Sequence, residues 1–211
     1  MPESRLFIFG QSSTALEMAE CARLVFGEEL DIVKVAGDAE SKLEGAIRER
    51  ELKEFLGDGN VSNYFLISMS QPVLREKCRQ LAKELSLAPM NLIHPLAFVS
   101  RSATLGKGIY IAAQAVVSSN AVLADHCIIN FQGLVGHDSQ IGQDCIINPG
   151  AKISGQVKIG ERTLIGANAF IFQGKKIGDE VLIDAMTYID RDIEARSICS
   201  SKNLKVFKRI V

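Results

Sequence analysis

The sequence predicts a mixed fold, a small N-terminal parallel α/β domain followed by a C-terminal parallel β-helix of six-residue repeats. Two observations carry this reading. Aliphatic residues recur at every sixth position from Ile93 to Ile189, seventeen times without an insertion. A strict short repeat of that kind signals a solenoid. Before residue 90 the rhythm is different, with short apolar runs alternating with helical periodicity, as expected of strands and helices around a parallel sheet. The chain divides accordingly into residues 1–90, residues 91–194 and a C-terminal tail at 195–211.

In the first part, Leu6-Phe7-Ile8-Phe9 reads as a short buried strand and Gly10-Gln11-Ser12-Ser13-Thr14 as a turn. Ala15, Met18, Ala19, Ala22, Val25 and Phe26 share one helical face. A second strand runs from Asp31 to Gly37 and ends at Asp38, and a third runs from Tyr64 to Met69. Pro72 then opens a helix that reaches Leu85. Ligands of open parallel sheets sit at the carboxyl ends of the strands. Here those ends carry Gly10 to Thr14, Asp38 and Ser68 to Ser70. The Gly10 turn has two readings: a phosphate-binding loop, or a plain helix start in which Thr14-Ala15-Leu16-Glu17 forms a capping box. The charged stretch Glu44 to Glu54 reads as a solvated helix face.

The repeat follows from strand alternation. Four residues after each aliphatic the side chain is usually small, as at Ala97, Ala121, Cys127, Gly133, Ser139, Cys145 and Ala151. Residues two apart face the same side of a strand, so the small residue and the next aliphatic both point inward. The position after each aliphatic is Gly six times, Asn twice and Asp twice, which we read as a corner using the left-handed backbone region. Three such segments close an 18-residue coil, and coils stack at the strand spacing of about 4.8 Å.

Composition narrows the function. The 211 residues are 47% hydrophobic and 23% charged, enough to bury a core. Net charge is −1 with no basic block, so nucleic acid is not an expected partner. MPESRLFIFG shows no leader pattern and no apolar run is long enough to span a bilayer, so we expect no membrane association. The five cysteines form no Cys-x-x-Cys pair and are odd in number, which suits reduced thiols in the cytoplasm. Cys127 and Cys145, one coil apart and inward, read as small core residues.

Only three histidines occur, and one is followed directly by an aspartate in the most regular stretch. His137 takes the corner after Gly136, so its ring should project from the triangular edge. An adjacent carboxylate orients an imidazole and stabilises its charged form, which makes His137 a candidate general base and Asp138 its partner. Gly155 lies one coil later and stacks beside His137, where a bare backbone N–H suits a developing oxyanion. His94 closes the N-terminal end of the helix, and His126 reads as an outward mid-strand residue placed for contact with a neighbouring subunit. The three histidines fall at different phases of the repeat, so no metal site is expected.

The order of an α/β domain and then an uninterrupted hexapeptide helix resembles the sialic-acid O-acetyltransferase and nucleotide-4-amino-sugar N-acetyltransferase family of hexapeptide-repeat acyltransferases. Ile93-His94-Pro95, Val135-Gly136-His137-Asp138, Asn148-Pro149-Gly150-Ala151 and Ile153-Ser154-Gly155 carry the likeness, which covers nearly the whole chain. The resemblance implies a left-handed helix and acetyl transfer from acetyl-CoA to an amino or hydroxyl group of a nucleotide-linked sugar. It also implies a homotrimer with the donor between two subunits. On that reading Gly10, Gln11, Ser12, Ser13, Thr14, Asp38, Ser68, Ser70 and Asn130 bind the acceptor, and Gly155, Ala167 and Ala185 line the acetyl-CoA groove, with no metal. Three departures stand out: a first turn poor in glycine, Ile146 where members often have a second histidine, and no Gly-x-Pro-Ala-Lys ending after Ser200. The alternatives are O-acetylation, a non-catalytic nucleotide-sugar-binding scaffold, and a carbonic-anhydrase-like metalloenzyme.

Overall fold

The computed structural model describes residues 4–38, 45–56 and 61–201. Its N-terminal sheet contains β1 (Ser4–Phe9), β2 (Leu30–Ala36), β3 (Ala46–Arg48), β4 (Ser62–Ile67) and β5 (Ala88–Pro89). All pairs are parallel, in the order β3-β2-β1-β4-β5. The helices are α1 (Ser13–Phe26), α2 (Leu52–Leu56) and α3 (Pro72–Glu84), the last with Pro72 in its first turn as expected. β1 is central because its Leu6, Phe7, Ile8 and Phe9 are apolar on both faces, and all four are fully buried.

Two local expectations are corrected. The stretch from 44 to 54 is not one helix: within it lie the edge strand β3 and a 3₁₀ turn at Glu49–Glu51, and α2 begins only at Leu52. Ala46 and Leu52 bury their side chains, and Ala46 pairs with Lys34 of β2, so sheet pairing overrides the charged composition. Glu44 itself lies outside the described residues. Nor does Thr14 cap α1. Gly10, at φ +108°, turns the chain at once, Ser12 becomes the N-cap, and the Ser12 side chain makes no capping hydrogen bond.

The second part is a left-handed parallel β-helix whose two-residue strands stack in three sheets. Face A runs through Leu92–Ile93, Tyr110–Ile111, Ile128–Ile129, Ile146–Ile147, Leu164–Ile165 and Leu182–Ile183. Face B holds Phe98–Val99, Val116–Val117, Leu134–Val135, Lys152–Ile153, Phe170–Ile171 and Tyr188–Ile189, and face C holds Thr104–Leu105 through Lys176–Ile177. The second residue of every pair is one of the sixth-position aliphatics, and with the small inward residues they form the helix core. Cys127 and Cys145 are free and buried there, their thiols donating to the carbonyls of Gly142 and Gly160. Burial pushes the Cys145 thiol up to about 12. Stacking continues past residue 194, with Ile193 bridging to Ile177 and Ile198–Cys199 pairing with Leu182–Ile183, so the last coil is two residues shorter.

The corner rule also needs correction. The glycines directly after the aliphatics do not adopt positive φ. The left-handed residues stand two places further on, at Gln114, Asn120, His126, Gln132, Asp138, Asp144 and their successors. Glycine is used instead where coils approach closely. A Cβ on Gly136 would lie 2.5 Å from the carbonyl carbon of Ser154, and one on Gly166 would lie 2.4 Å from the Ala185 nitrogen.

The α/β domain covers face A. Leu6, Ile8, Ala15, Met18, Ala22 and Leu66 pack on Leu92, Tyr110, Ala112, Ile128 and Ile146 in one cluster. A polar anchor sits at the vertex between faces C and A. Arg75 of α3, 1% exposed, donates its Nε to Asp144 Oδ1 at 2.9 Å, one Nη to the Met69 carbonyl at 2.9 Å and the other to the His126 carbonyl. Arg79 takes the second oxygen of Asp144. His126 is therefore not an outward strand residue. It is a left-handed corner, 8% exposed, tilted against Phe65 with ring centroids 5.6 Å apart. Its Nδ1, beside Gly108, has no hydrogen-bond partner.

Two outcomes follow for stability. Asp144→Asn leaves the Arg75 charge buried without its counter-ion and should cost about 3–5 kcal/mol in a denaturant melt. A loss under 1 kcal/mol would mean that the pair does not anchor the seam. Burial, aided by Arg79 and Arg75 against the pull of Asp144, holds His126 below the ordinary imidazole value. The unfolded chain thus takes up that proton at higher pH than the folded one, and stability should fall as pH drops from the ordinary imidazole value towards the depressed one. His126→Gln, a residue used at the same corner position elsewhere in this helix, should flatten that part of the pH–stability curve.

Candidate active site

A cleft of about 630 Å3 opens where the carboxyl ends of β1 and β4 meet the vertex between faces A and B. Gly10, Gln11, Ser12 and Thr14 line it from the first turn, Ser68, Ser70 and Gln71 from the segment after β4, and Ile128, Asn130, Ile146 and Asn148 from the helix. Gly10 is required on two grounds: its φ is positive, and a Cβ there would lie 2.3 Å from Ser68 Oγ. Ser68 is spent on structure, since its hydroxyl donates to the Phe9 carbonyl at 2.8 Å. The N-terminus of α1 faces the cleft with no acidic residue in its first turn and with the Ser12 hydroxyl uncommitted to capping. Free N–H groups at the positive end of a helix favour an anion.

Most expected acceptor residues meet in this cleft, but Ser13 and Asp38 do not line it. Asp38 borders a separate groove with Glu49, Arg50 and Lys77. Its carboxylate accepts from the Arg50 backbone N–H and its carbonyl from the Arg48 guanidinium. Leu74, Ile128, Ile146 and Asn148 also line the cleft, beyond the residues the sequence points to. The register signals Asn148, because it stacks one coil above Asn130, whose amide donates to it at 3.4 Å. Ile146, at the position of the family's second histidine, is apolar floor.

His137 and Asp138 stand at the vertex between faces B and C, away from this cleft. His137 Nδ1 lies 2.7 Å from Asp138 Oδ2, and the two side chains are 51% and 45% exposed. A carboxylate only accepts, so in the neutral ring this contact puts the proton on Nδ1 and leaves Nε2 its lone pair. The hydrogen bond from His137, then one from Asn120, hold the Asp138 carboxyl below its ordinary value. Nε2 faces Gly155, where a Cβ would lie 2.4 Å from it. The Gly155 N–H meets no acceptor among the described residues. Ala167 and Ala185 do not continue this column. They follow face A strands, stack on each other and belong to the vertex between faces A and B. Among the described residues no group of three His, Cys, Asp or Glu could hold a metal, and no helix is long and apolar enough to cross a membrane.

This arrangement is a repeat-built scaffold with an oriented imidazole on one edge, and it can be compared with known proteins. Residues 138–173 match the bacterial transferase hexapeptide pattern of six repeats, and residues 156–191 match the hexapeptide repeat of succinyl-transferase. In these repeats and in its fold the chain is similar to the hexapeptide-repeat acyltransferases. Its two-part build, an α/β domain and then a β-helix, is similar to that of solved sugar acetyltransferases. A histidine-to-asparagine variant of perosamine N-acetyltransferase from Caulobacter crescentus, in complex with CoA and GDP-perosamine, matches at 25% identity and TM-score 0.84, over 92% of either chain. The acetyltransferase domain of PglB from Neisseria gonorrhoeae matches at 29% identity and TM-score 0.80, over 90% of this chain and 92% of that one. WeeI from Acinetobacter baumannii AYE, at 18% identity, TM-score 0.85 and coverage of 94% and 98%, shares the fold. No curated protein matches the sequence.

Proposed function

We propose that this chain transfers an acetyl group from acetyl-CoA to the amino group of a nucleotide-linked amino sugar, such as a 4-amino-4,6-dideoxy sugar. The observation that carries the reading is the His137–Asp138 pair, with its free Nε2 beside the unpaired N–H of Gly155. The helix-terminus cleft, suited to a diphosphate, supports a nucleotide-linked acceptor, as do the CoA and GDP-perosamine bound by the Caulobacter enzyme. The acetyl-coenzyme A complex of the Neisseria domain, 28% identical, supports the donor.

In the proposed step the sugar amine attacks the thioester carbonyl while His137 Nε2 takes its proton. The oxyanion is held by the Gly155 N–H, Asp138 steadies the imidazolium, and the CoA thiolate leaves and is reprotonated. His137→Ala should lower kcat by about 10²- to 10⁴-fold with acetyl-CoA affinity nearly unchanged, and Asp138→Asn should cost less. If His137→Ala keeps more than about a tenth of kcat, the amine loses its proton elsewhere.

The active assembly is a homotrimer on this reading. The acceptor cleft and Ala167 and Ala185 lie at the vertex between faces A and B, while His137 and Gly155 lie across face B. The donor set thus divides between the two vertices, and the acceptor cleft lies at a different vertex from His137, so a second copy is needed to bring them together. Face B supports this with outward Phe98, Phe170 and Tyr188, all exposed in one chain, whereas face C presents Thr104, Gln140, Lys158 and Lys176. Ser12→Asp puts a carboxylate at the anion site without harming the helix cap. It and His137→Ala should each be inactive alone. Co-refolded in equal amounts they should recover about a quarter of wild-type activity, the fraction of sites joining an intact cleft to an intact His137 of the next subunit. No recovery in mixed trimers would place both halves of the site in one chain.

A further inference from the structure

We infer that Asn120 is a positioning residue for the proposed base: it pins the Asp138 carboxylate so that His137 is held in the tautomer that leaves Nε2 free. The inference rests on the proposed acetyl transfer and goes beyond it, because it concerns a residue one coil below the pair.

The geometry is a column along one vertex. Val117 pairs with Val135 in face B, so Asn120 and Asp138, each three residues further on, stack with matching left-handed backbones at φ +57° and +59°. Asn120 Nδ2 donates to Asp138 Oδ1 at 3.0 Å, while Oδ2 of the same carboxylate accepts from His137 Nδ1 at 2.7 Å. The Asn120 backbone N–H is itself tied to Ser102 Oγ at 3.1 Å, one coil lower still. The two carboxylate oxygens therefore have different partners and the group cannot turn without breaking one bond. This matters because neighbouring side chains as exposed as His137 and Asp138 would otherwise exchange rotamers freely. The tautomer of a histidine is set by the hydrogen bond at its other nitrogen. A carboxylate free to rotate would let the proton settle on Nε2, where it blocks the lone pair needed to take a proton from an amine.

Asparagine suits the role on both counts. It accepts the left-handed corner and it donates without charge. Asp at 120 keeps the shape but replaces the donor with an acceptor and sets a like charge against Asp138. Gly at 120 keeps the backbone and deletes the amide. Asp already serves at the same corner phase at 138 and 144, and Gly does so at 108, 150 and 174, so both variants suit the scaffold.

The test is ¹⁵N NMR of the imidazoles in the intact protein, readable because the chain has three histidines and His137→Ala assigns the signal. The wild type should show His137 with its proton on Nδ1. Asn120→Gly and Asn120→Asp should move a substantial share of that proton to Nε2. They should also lower kcat by about 3- to 10-fold, the effect of one hydrogen bond of ordinary net strength, with the KM for acetyl-CoA within twofold. Melting temperatures alone would not register this change, since a structural role would move stability and leave the tautomer alone. An unchanged tautomer in both variants overturns the inference. A shifted tautomer in a protein whose wild type transfers no acetyl group upholds the positioning and removes the proposed reaction instead.

Discussion

Everything in the C-terminal half depends on one constraint, the hydrogen-bonded stacking of each residue on the residue one coil later. The interior satisfies it with an aliphatic and a small side chain per strand, and its backbone bonds run from coil to coil with little variation, as in Val116 N to Gly133 O and Leu134 N to Ala151 O. Its consequence is that vertices become columns. Asn120 lies under Asp138, His137 against Gly155, Asn130 under Asn148 and Arg162 under Glu180. A side chain in such a column is placed by neighbours whose height is fixed to a fraction of the strand spacing. That lets an irregular, chemistry-bearing corner stand on a regular scaffold without a loop of its own.

The second constraint is the docking of the α/β domain on face A. Apolar contact supplies most of the adhesion, through Tyr110, Ile128 and Ile146 under Met18 and Ala22. Apolar contact is non-directional, however, and the cleft needs the β1 and β4 ends held at one height along the helix. The buried Arg75 supplies that direction. It bonds the Met69 carbonyl beside the cleft, the His126 carbonyl and the Asp144 carboxylate at once, and each bond fixes a different element. Here a buried ion pair is better understood as a register pin than as a source of stability.

The repeat, the domain order, the Gly10 turn and the corner position of His137 and Asp138 were legible in the sequence because each depends on local chemistry or on exact periodicity. What was not legible depends on contacts between distant segments. The glycines after the aliphatics looked like left-handed turns, but backbone approach between coils selects them, and left-handedness falls two residues later on Asn, Asp, Gln and His. His126 looked solvent-facing by phase and became buried because α3 and Phe65 cover its vertex. The stretch from 44 to 54 looked helical by composition, yet pairing with β2 drew Ala46–Arg48 into the sheet. The place of Asp38 after β2 points to the cleft, but Arg48 and Arg50 bind it elsewhere.

The exposure of the His137–Asp138 pair in a single chain fits a site that is completed by assembly. General-base catalysis gains when water is excluded, because the ion pair that forms during proton transfer is then less screened. One chain orients the imidazole through Asn120 and Asp138 but leaves it exposed, and the cleft below the α/β domain opens at another vertex. If face B packs against a neighbouring copy, the same event would bury Phe98, Phe170 and Tyr188 and wall the imidazole from bulk water. It would also bring a diphosphate-sized anion site within reach of the base.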